Sequence, residues 1–520
     1  MRGLVTILVA CFSAFSYAGE LDWTVRNKWS ASYEKKFSEF VKVMGESGCR
    51  SFTECVRSAR SNPFYSSKTP RSKSFPADCA DLPFTMRLYF SWMEGLPFDY
   101  VSVPTQANPN QESSGDIRYT KYGNKPAKKR SMTPGNTYDA AKEMANLRDS
   151  VSTATYRMHY QYKSDFYPPK LDLNNIQPGT VVYDPAGHAA IVYKIEKDGR
   201  VRMMDAHPDN SITRITYDQK FVRSRPAHGA GFRNWRPELD DRPTEELPGF
   251  STEQFNKSFT VGGESVSYYD FVRAQMSGGS LKFRPVEEMK SMVAELCSNV
   301  QDRAHAVEAG IRSGIQQKGH PTKLPSNIYG TSGEWEEYST PSRDARLKVA
   351  FVEIRKEIER FIGLYQQGSS RVEYTPVASR YSQNCSQNRT CFLIASLMEA
   401  YAAAIYEPGC DIQYTNSRGG AVKLSYSDVV SRLFKLSFDP YHCVELRWGA
   451  QSTEELASCP DDRYKRQWYE AEQGLRNQIE RTYDLRMDYD VNGTAQKLGV
   501  AQAPDVDLWT YLNRALKNSN

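Results

Sequence analysis

The sequence lacks several features that would place it in a common class of proteins. After residue 20 it has no apolar run of the roughly 18 residues that a transmembrane helix needs, which predicts no integral membrane span. Its 67 basic and 62 acidic residues leave a net charge of only +5, and nucleic-acid binders need a concentrated basic face. It has no P-loop, no dinucleotide fingerprint and no internal repeat. We therefore expect no nucleic-acid partner and no cofactor.

Histidine is also scarce, with seven residues in a chain of 520. Four of them, His159, His305, His320 and His442, stand in no ligand-like spacing with cysteine or acidic residues. The sequence therefore indicates no metal site.

The segment Met1–Ala18 has the pattern of a secretory signal peptide. Arg2 precedes an apolar stretch from Leu4 to Phe15, and the segment ends on the small residues Ser16 and Ala18. We therefore expect an exported protein, periplasmic or secreted. The tetrad that ends at Cys11 also fits a lipobox, and a lipoprotein anchored at Cys11 is the alternative.

The ten cysteines become informative in an exported chain, because disulfides persist outside the cytoplasm. Without Cys11 the count is nine, and an odd cysteine indicates a free, reactive thiol. If Cys79 is the odd residue, eight cysteines remain for four disulfides. We expect local pairs between Cys49 and Cys55 and between Cys385 and Cys391, and three disulfides confined to residues 238–520.

Composition changes along the chain predict its organisation. After the signal peptide, residues 19–75 are predicted to form a helical segment, and residues 76–237 a catalytic domain that includes a strand-rich part. Within that domain, residues 106–136 are rich in Asn, Gly, Ser and Lys and are predicted to form a long loop. A polar stretch follows, and residues 238–520 are predicted to form a mostly helical, disulfide-braced domain.

Cys79 is the first candidate for chemistry. It lies in the motif Asp78-Cys79-Ala80-Asp81, where an all-round apolar helix begins. The free N–H groups and the positive end of the helix dipole favour a thiolate, which is the nucleophilic form, and the same N–H groups suit an oxyanion. A cysteine at a helix start is also commonly a small buried residue or half of a disulfide.

A candidate base follows much later in the chain. Pro178-Gly179-Thr180-Val181-Val182-Tyr183 leads to Gly187-His188-Ala189-Ala190-Ile191-Val192-Tyr193, so His188 opens an apolar strand after a turn of small residues. A nucleophilic cysteine needs such a base, and the base needs a third group to orient it. The next strand ends in Asp205-Ala206-His207, which supplies two candidates for that role.

The order of these motifs resembles the NlpC/P60 cell-wall endopeptidases, a branch of the papain-like cysteine peptidases and amidases. The resemblance covers roughly residues 76–210 and implies an α+β fold in which a buried helix packs on a small antiparallel sheet. It implies Cys79 as nucleophile and His188 as base. The sequence departs from the family in its long insertion, in Ala80-Asp81 after the cysteine, and in having Asp205 where the family often has histidine.

Strand register bears on the choice of the third residue. A two-residue turn at Asp198-Gly199 would pair Val192 with Asp205, which places Asp205 about 13 Å from His188 and His207 about 7–8 Å away. Register therefore favours His207, whereas the family resemblance favours Asp205, and a β-bulge would change the count. We predict Asp205 as the orienting residue and keep His207 as the alternative.

Four residues are candidates for substrate binding. Asp78 adjoins the cysteine, and Arg225, His228 and Trp235 share a glycine-rich stretch that suits a substrate-binding wall, although an ordinary surface loop has the same composition. The expected function is that of a cysteine hydrolase that cleaves an amide bond, with peptidoglycan stem peptides as the substrate that the resemblance implies. The alternatives are an inactive envelope-binding module and a papain-like acyl or amide transferase acting on proteins. The oligomeric state is not indicated.

Overall fold

The computed structural model describes residues 21–66, 69–71, 73–112, 115–330, 332–406, 410–483 and 485–519. The predicted signal peptide and Cys11 lie outside the described residues. The described chain has a mixed α+β structure with small sheets. No helix in this part of the chain is both long enough and apolar enough to cross a membrane.

The described residues form fourteen strands and seventeen α-helices. The strands are β1 (Asp22–Thr24), β2 (Phe98–Gln106), β3 (Asn124–Met132), β4 (Thr137–Asp139), β5 (Phe166–Tyr167), β6 (Val181–Asp184), β7 (His188–Ile195), β8 (Val201–Ala206), β9 (Ile212–Thr216), β10 (Phe232–Trp235), β11 (Phe259–Val261), β12 (Glu264–Val266), β13 (Ile412–Thr415) and β14 (Ala421–Leu424). The helices are α1 (Ala31–Glu46), α2 (Phe52–Val56), α3 (Asp81–Glu94), α4 (Ala140–Ser150), α5 (Thr153–Tyr156), α6 (Tyr268–Met276), α7 (Pro285–Ser313), α8 (Glu334–Tyr338), α9 (Pro341–Gln366), α10 (Arg389–Ile405), α11 (Tyr426–Arg432), α12 (Val444–Arg447), α13 (Thr453–Leu456), α14 (Arg463–Ala471), α15 (Gln473–Asn477), α16 (Val491–Lys497) and α17 (Leu508–Ser519).

The central element is a six-stranded antiparallel sheet in the order β5-β10-β6-β7-β8-β9. Both of its faces are covered, because alternate side chains of each strand enter different cores. From β7, Ala189 and Ile191 enter the core formed with α1 and α3, whereas Ala190 and Val192 enter the core that receives α6. The sheet is therefore the middle layer of three.

Helix α3 is buried along nearly its whole length, as its apolar sequence predicts. It ends at Gly95, which adopts the left-handed conformation (φ 62°) that glycine accommodates without strain. Its one basic side chain, Arg87, is fully buried and bonds both oxygens of Glu34 at 2.7 Å while lying 3.5 Å above the Trp29 ring. The helix packs against β7, which brings its N-terminus to the edge where His188 begins that strand.

The segment 106–136, predicted to be a loop, contains a strand. Residues Asn124–Met132 form β3, which pairs with β2 in a two-stranded antiparallel ribbon, and two short 3-10 helices, Pro109–Gln111 and Ile117–Tyr119, precede it. The lysine-rich run lies mostly exposed on this ribbon, with Ala127, Lys128 and Lys129 exposed in succession. The composition of this run predicted a loop because it is charged and polar. Long basic side chains are nevertheless compatible with an exposed strand, since they extend into solvent.

The part after residue 280 is mostly helical. Helices α7, α9, α10 and α17 pack around a shared apolar core. Helix α9 is amphipathic, and the apolar residues spaced three or four apart along it are buried: Leu347, Phe351, Ile354, Ile358 and Phe361.

Four disulfides join the eight described cysteines other than Cys79. The pairs are Cys49–Cys55, Cys297–Cys410, Cys385–Cys391 and Cys443–Cys459. The two local pairs and the three disulfides within 238–520 agree with the arithmetic from the sequence.

The polar segment that begins at residue 238, where the sequence predicts a domain boundary, packs against the N-terminal part of the chain. Glu238 is buried at its side chain and lies 3.3 Å from the Arg87 guanidinium of α3. Further on, Val272 and Met276 of α6 enter the core on the second face of the central sheet. Whether residues 238–520 fold independently stays a prediction.

Candidate active site

Cys79 lies in the turn that leads into α3. The Asp78 carboxylate accepts hydrogen bonds from the N–H groups of Ala80 and Asp81 at 2.8 and 3.0 Å, and the Asp78 carbonyl accepts from Leu82. Asp78 therefore caps the helix, and it leaves the N–H of Cys79 as the donor that an oxyanion would use. Cys79 is partly exposed and is the free cysteine among the described residues.

The electrostatics at Cys79 differ from the sequence-based expectation of a stabilised thiolate. Burial raises the pKa of the Cys79 thiol, and the negative charges of Asp78 and Asp205 raise it further. A hydrogen bond from the Ala189 backbone and the charge of Arg346 lower the pKa but do not offset these effects. The resting group is therefore a thiol, because desolvation and two carboxylates outweigh the helix terminus.

His188 is bonded to Asp205. Its Nε2 lies 2.5 Å from Asp205 Oδ2, and both side chains are buried. Burial lowers the pKa of His188, and the charge of Arg346 lowers it further, against the opposing effect of Asp205. Burial raises the pKa of Asp205, but the neighbouring imidazoles of His207 and His188 lower it more. The pKa of Asp205 therefore lies well below its usual range. The resting pair is therefore a neutral imidazole held by a carboxylate.

The register of β7 and β8 explains how Asp205 comes within reach of His188. The turn runs from Glu196 to Arg200, and the pairing shifts between Val192 and Lys194, so Val192 faces Met203 rather than Asp205. The expected register was wrong by two residues, because it assumed a two-residue turn and no bulge. The shift brings Asp205, predicted to lie two diagonal steps away, to hydrogen-bond distance.

His207 supports Asp205 from behind. Thr213 on β9 donates its hydroxyl proton to Asp205 Oδ1, and the hydroxyl oxygen of Thr213 accepts from His207 Nε2 at 3.1 Å. Arg346 of α9 donates to His207 Nδ1 at 3.2 Å. These bonds fix His207 as the Nε2–H tautomer. They form a chain that runs from Arg346 through His207 and Thr213 to the carboxylate that holds His188.

The helical part of the chain contributes charge to this site. Arg346 is half-buried, and no described carboxylate forms a salt bridge with it. Arg481 contacts Asp184 at the end of β6 at 3.2 Å and lowers the pKa of His188. Tyr483 stacks on Tyr119 with ring centroids 4.7 Å apart. The site is thus built from both parts of the chain.

The remaining predicted binding residues lie in structural positions. His228 is buried and bonds the Lys121 carbonyl at 3.1 Å, and burial lowers its pKa to about 3. Trp235 donates to the Gly179 carbonyl at 3.1 Å and packs against Phe84. Arg225 is exposed. Asp78 adjoins the thiol, whereas a role of the other three residues in substrate binding stays a prediction.

The sequence analysis did not predict Thr213 and Arg346 as residues of the site. Thr213 could have been found, because the Pro208-Asp209-Asn210 turn signal places β9 next to β8, where Thr213 pairs with Asp205. Arg346 is distant from Asp205 in the chain, and no local pattern connects them.

Comparison of the chain with protein-family models, with curated proteins and with solved structures finds no match in any of the three.

Proposed function

We propose that this protein is an exported cysteine hydrolase that cleaves an amide bond through a thioester. The observation that carries the proposal is the buried contact of 2.5 Å between His188 Nε2 and Asp205, beside a free cysteine at a helix start. The other described cysteines are paired in disulfides, whereas Cys79 is free and its thiol accepts a hydrogen bond from the backbone of Ala189, the residue after His188. This is the arrangement that nucleophilic catalysis needs.

In the proposed reaction the thiol loses its proton as it attacks. Because Asp205 occupies Nε2, Nδ1 of His188 takes the proton from Cys79 while Sγ bonds to the substrate carbonyl carbon. The oxyanion is stabilised by the Cys79 N–H at the positive end of α3. His188 then returns the proton to the leaving amine, which leaves a thioester. Water attacks the thioester, His188 accepts its proton, and the carboxylic acid and the thiol are regenerated.

The charge around the site favours an anionic substrate. Arg346 is a half-buried cation that forms no salt bridge with a described carboxylate, and its guanidinium lies 3.2 Å from His207. A substrate carboxylate would form an ion pair with Arg346. Such a pair is strong where the two groups are partly shielded from water. Peptidoglycan stem peptides carry such carboxylates, and the NlpC/P60-like motifs point to the same substrate.

Digestion of purified sacculi tests the proposal. The wild type under reducing conditions should release stem peptides that mass spectrometry identifies, and Cys79→Ser should release none. Asp205→Ala should lower the rate by roughly 10²–10⁴, because the imidazole loses its orientation. His207→Ala should lower the rate less, since His207 bonds Thr213 and its Nε2 lies 3.9 Å from Asp205 Oδ2, beyond a hydrogen bond.

Three outcomes would contradict the proposal or a part of it. No release by the wild type, or equal release by Cys79→Ser, would favour an envelope-binding module. A larger loss in His207→Ala than in Asp205→Ala would reverse the assignment of the orienting residue. Transfer of the acyl group to an added amine in preference to water would identify a transferase.

A further inference from the structure

A second cluster of titratable side chains lies in the helical part, outside the candidate active site. His320 Nε2 is 2.7 Å from Asp439 Oδ2, and His442 Nε2 is 3.8 Å from Glu472 Oε2. One ligand atom from each of His320, Asp439 and Glu472 lies within 4.8 Å of the other two. All four side chains are fully buried.

Outer hydrogen bonds aim both imidazoles inward through Nε2. His320 donates from Nδ1 to the Pro321 carbonyl at 2.7 Å, and His442 donates from Nδ1 to Asp461 at 3.1 Å. Asp461 is itself held by the N–H of Cys443. Metal-binding histidines are oriented by this kind of second bond to a carbonyl or carboxylate. Each Nε2 then faces a carboxylate oxygen, so each pair needs either a shared proton or a bound cation that both atoms coordinate.

Unpartnered atoms point into the same space. Within the described part of the chain, His442 Nε2 and both carboxylate oxygens of Glu472 have no hydrogen-bond partner. The closest cation to Glu472 besides the imidazole is Arg476, whose Nη1 lies 4.0 Å from Oε2, beyond a hydrogen bond. A buried carboxylate with neither oxygen bonded is costly, and a bound metal ion would remove that cost.

We propose that this cluster binds one divalent transition-metal ion, with zinc as the best fit. His320 Nε2, Asp439 Oδ2 and Glu472 are the three ligands, and His442 Nε2 completes a set of two nitrogen and two oxygen donors. The ion would balance the cluster, because Asp439, Asp461 and Glu472 carry three negative charges and Arg476 carries one positive charge.

The role of this ion is structural. Its ligands come from three separate places: the segment before α8, the turn before α12, and the junction of α14 and α15. Their complete burial leaves no open position for a substrate, as in closed zinc sites. A sequence-based search missed the site because its ligands are far apart in the chain and follow no motif.

The test uses the full-length, oxidised mature chain without an affinity tag, carrying Cys79→Ser so that the active-site thiol cannot bind zinc. The protein is dialysed against a chelator, given one equivalent of zinc chloride, and analysed for bound metal and melting temperature. We expect about one zinc per chain and a rise in melting temperature on the order of 5–10 °C. Glu472→Gln, which keeps the shape of the side chain, should lose both.

Glu445→Gln is the matched control. Glu445 is equally buried but lies beside Cys443 and Cys459, whose sulfurs form a disulfide in the oxidised protein. This variant should bind zinc like its parent. A folded parent protein that binds less than about 0.1 zinc with no thermal shift would overturn the proposal, and two extra protons would then balance the cluster. Equal zinc binding by Glu472→Gln would also overturn it. Neither readout depends on hydrolysis, so failure here leaves the proposed function untouched.

Discussion

At the scale of the residue, Cys79 shows how burial can reverse a rule about helix termini. A helix start favours a thiolate in general, yet Cys79 is partly desolvated and lies beside Asp78 and Asp205, which raise its pKa. The residue types of the site could be predicted from the sequence because a cysteine, a histidine and an acid in that order suit the chemistry. The protonation states could not, because they depend on distant charges such as Arg346.

Replacing Asp78 by asparagine should make Cys79 more reactive. Asparagine caps a helix as well as aspartate does but carries no charge, so the pKa of the thiol should fall. A shift of half to one pKa unit would speed alkylation by iodoacetamide at pH 8 by roughly 3- to 10-fold. The rate is measured by following the Cys79 peptide with mass spectrometry.

The control for this experiment is Asp139→Asn. Asp139 caps α4 in the same way, by accepting a hydrogen bond from the Lys142 N–H at 3.1 Å, but it is not among the main charges that act on the pKa of Cys79. This variant should react at the wild-type rate. An unchanged or slower rate in Asp78→Asn would show that Asp78 does not hold the thiol protonated.

At the scale of the element, the bulge in β7 places Asp205 on the face of the sheet that carries His188. The existence of β6, β7 and β8 follows from their β-branched and aromatic runs, and the hairpin follows from Asp198-Gly199. The shift between Val192 and Lys194 has no local signal. It occurs where α1 crosses the strand, and Gly45 of that helix lies directly against the Tyr193 ring. The register of β7 and β8 therefore depends on tertiary packing rather than on local sequence.

Gly45→Ala should therefore destabilise the protein. A β-carbon at Gly45 would overlap the ring of the buried Tyr193, and overpacking of this kind costs about 1–3 kcal/mol. The matched control is Gly363→Ala in α9, where a β-carbon meets no atom within 4 Å. There alanine should stabilise the helix by about 0.5–1 kcal/mol. Urea denaturation measures both changes, and a neutral effect at Gly45 would show that α1 does not fix the strand.

At the scale of the whole molecule, the two parts of the chain share one site. The sequence predicted an N-terminal catalytic part and a helical C-terminal part joined by a polar linker. The structure shows Glu238 bonded to Arg87, α6 on the central sheet, and Arg346 and Arg481 beside the candidate catalytic residues. These contacts join residues far apart in the chain, and no local pattern encodes them. The number of disulfides and the free Cys79 could be predicted because they follow from the count of cysteines and need no knowledge of the fold.

The most direct test of the central claim is whether modification of Cys79 and loss of hydrolysis occur together. Wild-type protein is treated with iodoacetamide at pH 8 without a reductant, and aliquots are analysed for the modified fraction of Cys79 and for release of stem peptides from sacculi. We expect a single modified cysteine among those described, Cys79, and activity that falls in proportion to its modification and reaches zero when modification is complete. Stem-peptide release that persists after complete modification, or recovery of Cys79 in a disulfide-linked peptide, would contradict it.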